Sequence, residues 1–180
     1  MIQNQISQLV CRPAPSAHAP RGLMQGFILA AFLLLVLSVP TWASGGNGMT
    51  WIKQAHNSTD GSDLIGCSSC NPYVGDTACT TSLPMVCFKS DGSPAPGDLT
   101  LDFYHGWKGG HISTTPLIPG TLLTSLAAAN QICVNYFGAG YGMAEFHHSL
   151  GAWDWSSYGD IRTDYRLWVY ISDQPANCWN

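Results

Sequence analysis

The chain has 180 residues, 46% of them hydrophobic and only 10% charged, and its seven Lys and Arg against eleven Asp and Glu give a formal charge of −4. Bases this few and this scattered argue against a nucleic-acid partner. The length suits one domain with a modest core once any leader is set aside.

Phe27 to Val39, "FILAAFLLLVLSV", is an apolar run of thirteen residues, with Arg12 and Arg21 before it and "PTWASGG" after it. The run is shorter than the ~20 residues a spanning helix needs, and Thr41-Trp42-Ala43 puts small residues where a signal peptidase reads. Residues 1–43 are therefore read as a secretory signal cut after Ala43, with an uncleaved anchor as the alternative and Met24 as a second possible start. Beyond Ala43 lie 137 residues with five basic and eleven acidic side chains, a formal −6, and six of the seven cysteines. The expected location is secreted or periplasmic, with no membrane span after cleavage.

Ser44 to Gly66, "SGGNGMTWIKQAHNSTDGSDLIG", is rich in glycine and hydroxyl residues and reads as a flexible lead-in, residues 44–66, to a domain over 67–180. Asn57-Ser58-Thr59 within it is formally a glycosylation acceptor. Next, "GCSSCNPYVGDTACTTSLPMVC" holds Cys67, Cys70, Cys79 and Cys87. Zinc is disfavoured, because a zinc ribbon presents two close pairs and the second pair here is wide apart. A redox pair at Cys67-x-x-Cys70 is also disfavoured, because such pairs open a helix and here Asn71-Pro72 follows at once. Structural disulfides are expected for all six, Cys133 and Cys178 included, since Gly61 to Gly97 has too few large apolar residues to bury itself.

"LPMVCF", Leu83 to Phe88, is a candidate strand, and "SDGSPAPGD" after it is a loop. A strand through Leu101, Phe103 and Tyr104 is expected before the glycines at 106, 109 and 110, with a second around His111 to Thr115 pairing back. "TSLAAANQICVNYFGAG" predicts the main helix: Thr124 or Ser125 caps it, Leu126, Ala129, Cys133, Tyr136 and Phe137 recur at helical steps, and Gly138 stops it. "RLWVYIS", Arg166 to Ser172, alternates large residues on both faces and is expected as a central strand. The fold class is α+β, an antiparallel sheet with one main helix.

The blocks "CNPYVGDTACTTSLPMVC", "FYHGWKGGHISTTP", "LTSLAAANQICVNYFGAGYGMAEFHH" and "LWVYISDQPANCW" resemble an uncharacterised family of exported, disulfide-rich bacterial proteins, some with flagellar names. That resemblance implies no activity. The cysteine-bearing helix, "GYGMAEF" and the late cysteine also resemble the frame of a C-type-lectin-like domain. The second resemblance implies a Cys133–Cys178 bond, which would also tie down a tail without an element of its own. No calcium set is implied, because the tail "SDQPANCWN" lacks the Glu-Pro-Asn type motif. Three pairings remain for the other four cysteines, with Cys70–Cys79 and Cys67–Cys87 preferred.

Glu145, His147 and His148 in "AEFHH" are possible metal ligands by type, but without H-E-x-x-H spacing no metal site is assigned. Glu145 with Asp154 or Asp160 could form a glycosidase acid–base pair. G-x-S-x-G is absent, and "GWKGG" lacks the Lys-Ser or Lys-Thr end of a phosphate loop, so neither a serine hydrolase nor a nucleotide site is expected. "LGAWDWSSYGDIRTDY" is the strongest lead: Trp153 or Trp155 as anchor, with Asp154, Asp160 and Arg162 orienting a ligand, suits a sugar face or a protein partner. The alternative is that both tryptophans fill the core. The expected function is a binding module for a glycan or envelope partner, without a cofactor; an extracellular hydrolase using Glu145, or a structural envelope component, is the runner-up.

Overall fold

The computed structural model of the chain describes residues 46–148 and 153–180, so the segment 1–43 read as a secretory signal, and Ala152, lie outside the described residues. The strands are β1 (Asn47–Gly48), β2 (Thr50–Asn57), β3 (Ser62–Gly66), β4 (Thr77–Ala78), β5 (Ser82–Leu83), β6 (Val86–Ser90), β7 (His105–Thr114) and β8 (Ile118–Pro119). Helix α1 (Leu126–Phe137) follows, then β9 (Gly142–Met143), β10 (Asp154–Tyr158) and β11 (Leu167–Trp168). Seven strands form the main sheet in the order β11-β2-β3-β10-β7-β6-β9. The domain is thus α+β, mostly sheet with one α-helix among the described residues. The sheet is mixed rather than antiparallel, because β10 pairs with β7 in parallel.

The flexible lead-in expected over 44–66 is instead the β2–β3 hairpin, which lies inside the sheet. The Asn57 side-chain oxygen accepts from Thr59 N, Asp60 Oδ1 accepts from Ser62 N, and Gly61 takes φ +74° to close the turn. The segment reads as polar because its charges face one another: Lys53 Nζ lies 2.8 Å from Asp63 Oδ1, and both side chains are buried. Met49, Trp51 and Ile65 supply its apolar face.

Two cores result. The first gathers Trp51, Ile65, Phe88, Phe146, Trp155 and Ile171 with their neighbours. Trp155 is fully buried, in contact with Trp51 and Phe88, and so is removed from the candidate ligand anchors. The second core packs Met85, Cys87, Leu123, Ala129, Cys133 and Trp168 beneath α1. That helix runs as expected: Ser125 caps it by accepting from Ala128 N, and Gly138 ends it at φ +93°.

Two strand expectations change. Leu101, Phe103 and Tyr104 form an exposed loop, and β7 starts at His105 and runs through the glycines. Gly110 is needed there, since a Cβ would fall 2.1 Å from the Lys89 carbonyl oxygen of the paired strand β6. Within Arg166 to Ser172, only Leu167–Trp168 is regular, and it forms the sheet edge beside β2. Its alternation arises because Leu167, Val169 and Ile171 enter the first core while Trp168 enters the second.

All six cysteines are disulfide-bonded, but the pairs are Cys67–Cys70, Cys79–Cys178 and Cys87–Cys133. The Cys133–Cys178, Cys70–Cys79 and Cys67–Cys87 expectations are all overturned. Register explains the difference. Helix α1 lies over β9, which pairs with β6, so Cys133 faces Cys87 with 5.5 Å between Cα atoms. Strand β4 pairs with β1 and carries Cys79 to the tail, where the Cys178 Sγ lies against Gly48 and Gly120.

Candidate functional site

Three exposed aromatic residues come together at one end of the sheet. Trp153 precedes β10, its carbonyl accepts from Cys67 N at 2.9 Å, and its ring sits edge-on to Phe146 at 5.4 Å. In the parallel pairing of β10 with β7, Asp154 is level with His105, and Asp154 N donates to the Tyr104 carbonyl at 3.4 Å. Trp153 and Tyr104 therefore sit on neighbouring chains at the strand starts, about 5 Å apart in backbone. Phe103 packs edge-on to Tyr104 at 5.2 Å. Trp153, Tyr104 and Phe103 remain 43%, 56% and 64% exposed.

An Asp–His–Asp series lies at the same strand starts, on the sheet face opposite the Trp153 ring, which packs on Phe146 of the first core. Asp102 Oδ1 accepts from Tyr104 N and His105 N, which closes the turn into β7, and stands 3.0 Å from His105 Nδ1. The far ring nitrogen, His105 Nε2, lies 3.5 Å from Asp154 Oδ2. The hydrogen bond to Asp102 and the nearby charge of Asp154 hold the His105 pKa above its ordinary value. His105, followed by the two backbone N–H groups, holds Asp102 below the usual carboxylate range. Burial pushes Asp154 up, against the opposing pull of His105. Asp154 Oδ1 is buried with no hydrogen-bond partner among the described residues. Such an atom costs stability unless something donates to it.

A cleft of about 240 Å³ opens from His105 between Ala55, Leu64 and Ser156 on the sheet and the loop Asp98 to Leu101. A second, of about 500 Å³, shares Leu101 and Gly106 with it and is lined by Asp102, Trp107, Lys108 and His148. Burial, aided by the Lys108 charge, pushes His148 down to about 4, so its ring is neutral at pH 7.

The other sequence-derived candidates lie elsewhere. Asp160 and Arg162 follow the opposite end of β10, so they do not join Trp153 and Asp154. Asp160 Oδ1 accepts from Lys53 Nζ at 3.0 Å, while Arg162 pairs through two nitrogens with Asp164 and covers the Tyr165 ring. His56, Asp63 and Asp160 offer ligand atoms within 4.8 Å of one another. The Lys53 ammonium already lies against Asp63 Oδ1, Asp160 Oδ1 and the Ile161 carbonyl, so a metal ion would have to displace it. Glu145 is buried and accepts from His147 N, Ser172 N and Ser172 Oγ, and it faces His147 Nδ1 at 2.9 Å. It joins two loops. Asp102, Phe103, Tyr104 and His105 were missed by sequence reasoning. Their signal is "DFYH" itself, a carboxylate and an imidazole three residues apart around two rings, which by pattern alone reads as part of a strand.

No family model, curated protein or solved structure matches the chain.

Proposed function

We propose that the chain is an exported binding module that holds a saccharide of the cell envelope at the Trp153 end of its sheet. The observation that carries this is the row of exposed rings at Trp153, Tyr104 and Phe103 at the starts of two neighbouring strands, with the Asp102–His105–Asp154 series at the same end of the sheet. Flat rings pack against the C–H faces of sugars, and Asp154, Asp102 and His105 offer acceptors and a donor for hydroxyls. The frame is stiff: β10 is held between β3 and β7, and the Trp153 carbonyl accepts from the backbone N–H of Cys67. A ring held in this way loses little freedom on binding.

Export belongs to the same proposal, as does kinship with the exported bacterial proteins that the sequence resembles. Three disulfides fit an oxidising compartment, and among the described residues no helix is long and apolar enough to cross a membrane. Glu145, the acid of the hydrolase alternative, is buried and bonded to Ser172 and His147, which favours the binding reading. A glycan array probed with wild type and Trp153→Ala tests the binding: saccharide signals present for wild type and lost in the variant support it. An array silent for both, with an envelope protein captured instead, overturns it. Mass spectrometry of the protein from its native host tests export, with a mature mass starting at Ser44 expected and an intact leader contradicting it.

A further inference from the structure

The three disulfides are not equivalent. Cys79–Cys178 and Cys87–Cys133 close separations of 99 and 46 residues and tie the tail and the helix to the sheet, whereas Cys67–Cys70 spans three. That small ring lies at the end of β3, where Cys67 N and Gly66 are already fixed by β10, so the fold around it does not depend on the S–S bond. Cys67 is buried against the first core, while Cys70 packs against that core only in part and is the more accessible sulfur.

Three further features surround the ring. Ser69, inside it, is the one non-glycine residue among the described residues with positive φ, at +63°, a conformation that side chains disfavour. Arg166 donates through Nη1 to the Ser68 carbonyl at 3.1 Å and is fixed by two more bonds to Thr50, so a permanent positive charge is held at the ring. Thiolates are stabilised by such charge even where no helix start is present. The opposing carboxylate, Asp76, accepts from Asn71 N on the Cys70 side and lies 3.6 Å from Arg166 Nη2. Beyond Cys70, Tyr73 and Val74 are exposed and offer an apolar landing surface.

We propose that Cys67–Cys70 is a thiol–disulfide exchange site that takes two electrons from a dithiol protein in the exported compartment. A partner thiolate attacks Sγ of the less buried Cys70, and the S–S bond breaks with its electron pair leaving on Cys67 Sγ, in the ring whose Ser68 carbonyl Arg166 holds. The partner's second thiolate then attacks its own sulfur in the mixed disulfide and releases Cys70 as thiolate. The partner is oxidised to a disulfide, the ring is reduced, and the protons lost by the partner's thiols end on Cys67 and Cys70. This activity is independent of the saccharide reading.

The test equilibrates the oxidised protein in glutathione buffers of graded ratio, followed by alkylation and peptide mass spectrometry. Cys67–Cys70 is expected to open with an equilibrium constant at least tenfold larger than either other bond, about 30 mV for a two-electron couple, with circular dichroism unchanged. A lability that is merely structural is separated by kinetics. The oxidised protein with glutathione disulfide is expected to oxidise a dithiol peptide at least tenfold faster than glutathione disulfide alone. Incubated with the oxidised, disulfide form of the peptide, Cys67→Ser is expected to trap it on Cys70, because Cys67 is the thiol that resolves that mixed disulfide in the reverse direction, and Cys70→Ser is expected to trap little. Simultaneous opening of all three bonds, or no acceleration of peptide oxidation by the wild type, overturns the proposal. Saccharide binding by the Cys67→Ser/Cys70→Ser double variant is expected to persist, so failure here and failure of the glycan reading are read separately.

Discussion

His105 links the exposed rings to the carboxylates, and its titration can be followed directly. Because its pKa is raised in the folded chain, the protonated ring stabilises the folded state fully below its unfolded value of about 6.5, and this contribution is lost as pH rises through the folded value. The side chain is half exposed, so the effect on stability is small and the NMR midpoint is the better measure. Its imidazole resonances should titrate above pH 6.5, with the midpoint falling in Asp102→Asn; no difference between the two proteins would remove Asp102 as the cause. Lys53 gives the contrasting case. Its ammonium answers the fully buried Asp63, so Lys53→Met leaves that carboxylate with only His56 Nδ1 and the Ile161 N–H and should cost about 3 kcal/mol in urea unfolding. A cost under about 1 kcal/mol would show that water replaces the ammonium.

At the level of elements, the parts read correctly from sequence are those specified locally. Helix α1 carries its own cap, its own periodicity and its own glycine stop, and every one of these signals lies within the helix or one residue outside it. The β2–β3 hairpin was illegible because Lys53 and Asp63 read as surface residues until strand pairing brings them together. Disulfide partners were illegible for the same reason: Cys133 meets Cys87 through the β6–β9 pairing, a contact far apart in sequence. Of the candidate site, Trp153 and Asp154 were legible as an aromatic-acidic pair, whereas their partners on β7 needed the parallel register that no local pattern encodes. The pairing also sets energies. Loop entropy gives about 4 to 5 kcal/mol for each long-range bond and only about 2 for the ring at Cys67. Cys87→Ala/Cys133→Ala should therefore lower stability markedly while Cys67→Ser/Cys70→Ser should not; equal losses would contradict this division of roles.

At the scale of the whole molecule, a seven-stranded sheet is closed by two cores and two long-range disulfides, and the proposed saccharide site lies at one end of β10 and β7. Trp153 and Trp155 stand two residues apart on this scaffold with opposite assignments: the first is exposed at the rim and the second fully buried between Trp51 and Phe88. Truncating a buried tryptophan costs about 3 to 5 kcal/mol of stability, whereas truncating an exposed anchor costs about 2 kcal/mol of binding, roughly thirtyfold in Kd. The most direct measurement is calorimetry of wild type, Trp153→Ala and Trp155→Ala against a saccharide selected on the array, with thermal unfolding of each. The account predicts that Trp153→Ala weakens binding about thirtyfold at an unchanged Tm and that Trp155→Ala lowers the Tm sharply. Unchanged affinity in Trp153→Ala, or a fall in Tm that accounts for its loss of binding, would contradict it.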